Sequence, residues 1–192
     1  MQVLIPLMAE HAVILRMIEV VRKIMEGMPD SNREVHGRLG DVIEFLCMYV
    51  DRCHHAKEDI FFSHCEKKGI PETDRKVMTE LTEEHIFIMR TVGELIDARR
   101  DHGNSFRSAE EIGRNKLALL TSLFPEHMRK ENEIFFPKAL KYFSPYEQYS
   151  ILREFWRFNE RMPMEKYHAL LQQLEVYAGR ASHSSIRLSH SL

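Results

Sequence analysis

One pattern constrains this chain more than any other: a histidine-and-glutamate motif that occurs twice. His54 and Glu58 are four residues apart, and so are His127 and Glu131. Each pair follows a lone histidine set in an apolar helical pattern, His11 for the first pair and His85 for the second. His54 lies 43 residues after His11, and His127 lies 42 after His85. The flanks repeat as well. Glu10-His11 matches Glu84-His85, and His54-His-Ala-Lys-Glu58 matches His127-Met-Arg-Lys-Glu131. The core of the chain therefore reads as two similar helical hairpins. Each gives one histidine from its first helix and a His/Glu pair from its second.

The spacing of apolar residues supports helices throughout. They recur at three and four, and no run alternates as a strand would. A first helix is predicted from Pro6 to Met28, with a buried stripe of Leu7, Met8, His11, Ile14, Leu15, Ile18 and Val21. A second runs from Asn32 to Lys68, stopped by Gly69 and Pro71. A third runs from Thr73 to Gly103 with Met78, Leu81, His85, Ile88, Val92 and Leu95 on one face. A fourth opens at a capping box, Ser108-Ala-Glu-Glu111. It carries Ile112, Leu119, Leu120, Leu123, His127, Glu131 and Ile134; Pro125 should kink it and Pro137 should end or bend it. These four helices make up residues 1–142. A helical extension over 143–180 opens at a second capping box, Ser144-Pro-Tyr-Glu147, and carries Ile151, Leu152, Phe155 and Trp156 before a break at Pro163. The tail, 181–192, is rich in Ser and His, lacks an apolar period and is expected to be disordered.

The chemistry follows from the faces. Spacing four puts His54 beside Glu58, and His127 beside Glu131, on one side of a helix. That side is also the apolar stripe. Four buried imidazoles and two buried carboxylates would be costly if left unpaired. Cations relieve the cost, because they take deprotonated nitrogen and oxygen donors. Four imidazoles and two carboxylates suit two first-row transition ions, each held by two histidines, with the glutamates bridging. His55 points about a quarter-turn from His54, as a supporting partner or a replacement ligand. Glu10 and Glu84 are placed either to orient imidazole N–H groups or as solvated carboxylates. Glu165 and His168 are placed either over the site or on an amphipathic cap helix. Phe61, Phe62, Phe135 and Phe136 should wall the site one turn below the donors.

Charge excludes other classes. The 27 basic and 29 acidic residues are interspersed, and no basic block marks a nucleic-acid or anionic-membrane surface. There is no phosphate-binding glycine loop or dinucleotide fingerprint. Cys47, Cys53 and Cys65 form no C-x-x-C and read as reduced thiols of a cytoplasmic protein, with no signal peptide and no membrane span expected.

Over about residues 4 to 140 these motifs together resemble the hemerythrin-like, or HHE cation-binding, family. The resemblance implies an all-α, up-down-up-down four-helix bundle with two non-haem iron ions. It assigns His11 and His54 to one iron and His85 and His127 to the other, with Glu58 and Glu131 as bridges. Two positions differ from the oxygen-carrying members. Their second histidine on the third helix is Met89 here. Their carboxylate five residues after the last histidine is Asn132 here, and Glu131 sits one residue nearer. The differences favour binding or sensing of oxygen or nitric oxide, or a response to redox or iron state, over stable oxygen carriage. The alternative is a di-iron enzyme, a weak peroxidase or ferroxidase, or an iron donor for iron–sulfur cluster repair. The implied partner is a small diatomic molecule, with a homodimer or a regulatory protein as a further expectation.

Overall fold

The computed structural model describes residues 2–26, 33–100 and 106–189. Among them there is no strand; the fold is all-α. A 3₁₀ turn at Gln2–Leu4 leads into α1 (Ile5–Glu26). Next come α2 (Arg33–Phe45), a π-helical stretch (Leu46–His55) and α3 (Ala56–Lys68), which follow one another without a break. Gly69 then ends α3 in the left-handed conformation (φ 63°, ψ 51°), which a residue with a Cβ adopts only at a cost. α4 spans Glu72–Arg100 and α5 spans Phe106–Arg129. A second π stretch, Lys130–Phe135, joins α5 to the short α6 (Phe136–Ala139), and a 3₁₀ turn closes that run at Leu140–Tyr142. α7 (Pro145–Asn159) and α8 (Met164–Ser189) complete the chain.

The capping box at Ser144 forms as predicted. Its side chain accepts from the Glu147 backbone, and Glu147 accepts from the Ser144 N–H. The box expected at Ser108 does not start its helix, because α5 begins two residues earlier at Phe106. Pro125 lies within α5, and Pro137 lies at the start of α6, directly after the π stretch. α8 continues past Ala181 to Ser189. None of residues 181–189 is proline or glycine, so nothing there breaks a helix already nucleated upstream.

The interior is divided in two. A first apolar core gathers Ile14, Ile18 and Val21 of α1, Phe45, Leu46, Tyr49 and Val50, Ile88 and Val92 of α4, Leu120 and Phe124 of α5, and Leu171 and Leu174 of α8. A second gathers Leu7, Phe61, Phe62, Cys65, Leu81, Phe135, Phe136, Ile151 and Phe155. Along α1 and α4 the chain passes from the second core to the first; along α2–α3 and along α5–α6 it passes from the first to the second. Between the two cores every one of these helices carries buried polar side chains. α8 packs along α1 and against α2, while α7 packs on α3 and on the N-terminal turn.

Most of the predicted stripes are buried, and the α4 stripe is buried in full. Met8, Leu15, Ile112, Leu119 and Trp156 are exposed instead. On α5 the face shared with His127 is built from Leu120, Phe124 and Met128, each four residues after the last, and this turns Leu119 and Ile112 outward. The three cysteines are free thiols. No helix among the described residues is long and apolar enough to cross a membrane.

Candidate metal centre

The six side chains singled out by the repeat, His11, His54, Glu58, His85, His127 and Glu131, are all buried and meet in the polar layer between the two cores. His11 Nε2 lies 3.2 Å from Glu58 Oε1 and 3.2 Å from Glu131 Oε2. His54 Nε2 lies 3.2 Å from the same Glu58 oxygen. On the other side, His85 Nε2 is 3.3 Å from Glu58 Oε2 and 3.5 Å from Glu131 Oε1, and His127 Nε2 is 3.3 Å from Glu131 Oε1. Each glutamate thus presents one oxygen to the His11/His54 side and the other to the His85 side. His85 and His127 bring their Nε2 atoms within 3.1 Å of each other.

These contacts fit cation ligands better than a hydrogen-bonded network. His54 Nε2, Glu58 Oε2 and both Glu131 oxygens are buried without a hydrogen-bond partner, although a carboxylate oxygen stands 3.2 Å from the first and imidazole nitrogens stand 3.2–3.5 Å from the others. Atoms this close that miss hydrogen-bond geometry are aimed at shared points. Two donors each about 2.1 Å from one ion, at right angles, would lie about 3 Å apart. Two groups of four residues have donor atoms all within 4.8 Å of one another. One is His11, His54, Glu58 and Glu131; the other is His55, Glu58, His85 and His127.

Further carboxylates and an amide hold the imidazoles in place. His54 Nδ1 donates to Glu10 at 3.1 Å, and His127 Nδ1 donates to Glu84 at 2.7 Å. Both carboxylates immediately precede the lone histidine of their hairpin, yet each serves the histidine of the other helix. Asn132 does the same for His11, accepting from Nδ1 at 3.0 Å. An Nδ1–H engaged in this way leaves the Nε2 lone pair facing the centre. Each supporting carboxylate also meets a lysine three residues after its histidine: Lys57 for Glu10 and Lys130 for Glu84. Lys57 is wholly buried and also donates to Asn159 Oδ1, at the end of α7, at 3.1 Å. Sequence reasoning missed Lys57; the repeated His-x-x-Lys spacing was its signal.

With protons in place of metal, the imidazoles and glutamates of the layer favour one another's charged forms. Burial opposes protonation of His11, but the adjacent carboxylates of Glu131 and Glu58 outweigh it, raising the pKa to about 10. Burial likewise opposes protonation of His127, and Glu131 and Glu84 overcome it to raise the pKa to about 9. His54 is raised too, against burial, by Glu58 and Glu10. Burial tends to raise both bridging glutamates, yet the imidazoles hold them below the usual carboxylate range.

The aromatic wall is where the sequence put it. Phe136 stacks near His11 (6.0 Å between centroids, 10°) and Phe62 near His85 (6.0 Å, 8°), with Phe61 and Phe135 behind them. Other expected neighbours lie elsewhere. Glu165 and His168 are exposed, and His168 meets the Tyr49 hydroxyl at 3.4 Å instead of the centre. Met89 packs against the first core.

The sequence has no significant match among curated proteins or among solved structures. The family model for the hemerythrin HHE cation binding domain matches residues 6–139. The match spans all six converging side chains and more than half of the chain, so the protein belongs to the hemerythrin HHE cation-binding family.

Proposed function

We propose that the polar layer holds two iron ions and that the protein binds a small diatomic molecule there, oxygen or nitric oxide, to sense it or to respond to redox state. The observation that carries this reading is the shared pair of carboxylates. Glu58 and Glu131 each divide their oxygens between two imidazole groups, and four of the buried donor atoms there, His54 Nε2, Glu58 Oε2 and both Glu131 oxygens, have no hydrogen-bond partner. On this reading His11 and His54 serve one ion, His85 and His127 the other, and the helices from α1 to α6 form an up-down-up-down bundle around them. The alternating direction of the chain between the two cores supports that topology. Bound iron would supply a reducible centre able to exchange electrons with the diatomic molecule. The chain's own part is to hold Nε2 lone pairs inward through Glu10, Glu84 and Asn132, and to keep bulk water out with Phe61, Phe62, Phe135 and Phe136.

Two measurements test the reading. Metal analysis of protein expressed without added metal should give two irons per chain; a single zinc would overturn it. The reduced iron protein, prepared without air, should develop a new visible absorption when oxygen or nitric oxide is added. If neither gas changes the spectrum and no ferrous iron is consumed, the diatomic role is refuted even where iron is bound.

A further inference from the structure

His55 stands beside the six side chains of the repeat, and no counterpart of it exists in the second hairpin. The residue that follows His127 is Met128, which lies in the first apolar core. His55 is instead buried within the polar layer. Its ring stacks on His85 (3.9 Å between centroids, 12°) and meets His127 edge-on at 6.2 Å. Both of its ring nitrogens are buried without a hydrogen-bond partner. One of them lies within 4.8 Å of donor atoms on Glu58, His85 and His127.

The backbone explains how two successive histidines can both face inward. In an α-helix neighbouring side chains diverge by about 100°. The turn that delivers His54 and His55 is π-helical: the Ala56 N–H reaches back five residues to the Asp51 carbonyl. A wider turn holds more residues, so adjacent side chains diverge less, and such insertions accumulate at functional sites. His55 also sits three residues before Glu58, close enough on the helix to share a ligand position with it.

Resting on the two-iron reading above, we propose that His55 is itself a metal ligand, the third imidazole on the His85/His127 side of the centre. A buried neutral imidazole carries a lone pair that needs a partner. Here the partner is the cation drawn in by Glu58, His85 and His127. The π stretch between α2 and α3 thus supplies a nitrogen donor that Met89 cannot supply from α4. The two sides of the centre are then unequal: three imidazoles on one, two on the other.

The test uses the full-length protein loaded anaerobically with ferrous iron-57, comparing the unaltered chain with His55→Phe and His55→Ala. Phenylalanine keeps the ring stacked on His85 but offers no donor; alanine leaves a space that free imidazole can enter. The unaltered protein should bind two irons that give two distinct Mössbauer doublets. In His55→Phe one doublet should shift or vanish, and a competing chelator should strip one iron at least tenfold more readily, while the other doublet stays in place. Added imidazole should restore the lost signal in His55→Ala. If His55→Phe keeps both doublets and the same chelator resistance, His55 is a packing residue and the proposal fails. Helix content by circular dichroism separates loss of fold from loss of ligand; a His55→Ala protein that stays helical and is not rescued by imidazole also refutes the proposal. An unaltered protein that binds fewer than two irons refutes the two-iron reading itself.

Discussion

The two supporting carboxylates offer a controlled comparison, because they are equivalent in the repeat and unequal in burial. Glu10 accepts from His54 Nδ1 with one oxygen and from Lys57 with the other. In Glu10→Gln the amide keeps one acceptor oxygen and turns an NH₂ toward one of two donors. Either the imidazole or the ammonium is then left facing a donor, and Lys57, at 0 % exposure, has no water to turn to. Removing one partner from a buried ion pair costs about 3–5 kcal/mol. In a domain of this size that corresponds to a fall in Tm of roughly 6–20 °C. At the matching site the Lys130 and Glu84 side chains are 23 % and 21 % exposed, so water can solvate the freed ammonium. Glu84→Gln should then cost about 1 kcal/mol, near the value for surface pairs. The assay is urea and thermal unfolding of the metal-free proteins, so that metal affinity does not enter the comparison. The double variant Glu10→Gln/Lys57→Met should be more stable than Glu10→Gln alone, since it also removes the stranded charge. Equal losses for Glu10→Gln and Glu84→Gln, or a double variant no better than the single, would refute the assignment of the cost to buried Lys57.

Other consequences can be checked separately. Glu58→Gln should weaken binding of both ions, by at least tenfold under chelator competition, because both donor groups include Glu58; loss confined to one ion would argue against a bridge. Metal uptake at pH 8 should release about two protons, from His11 and His127, whose pKa values are raised to about 10 and about 9, and far fewer above pH 10. Calorimetric titration in two buffers of different ionisation enthalpy reads that number directly. The same groups stabilise the metal-free fold most fully below the ordinary histidine pKa of 6.5, and that stabilisation should be lost as pH rises through about 9 and 10, so Tm should fall between pH 7 and pH 10.5. Gly69→Ala should cost about 1 kcal/mol, a fall of a few degrees in Tm, because φ of 63° disfavours a Cβ.

The six converging residues were legible in the sequence because periodicity and chemistry pointed to the same faces: Leu81, His85 and Ile88 cannot share an inward stripe unless the histidine is buried too. The stripe on α5 was harder. Leu117, Leu119, Leu120 and Leu123 give several overlapping helical faces, and the choice among them is made by Phe124 and Met128 packing beside His127. The inward turn of His55 was hidden for a different reason. It depends on a hydrogen bond spanning five residues, and no local residue preference announces one. Glu10 and Glu84 were visible as neighbours of His11 and His85, but only tertiary packing reveals that each binds the histidine across its hairpin. The burial of Lys57 likewise depends on Asn159, more than a hundred residues away.

The layered interior has a mechanical consequence. α1 and α4 cross from one hydrocarbon lobe to the other, and cohesion between the lobes runs through a plane of ionisable groups. A cation held in that plane would act as a rivet. Emptying it leaves each lobe greasy and intact but loosens the joint, so iron loss would register first as hydrogen exchange at the waist of the helices, well before their ends give way.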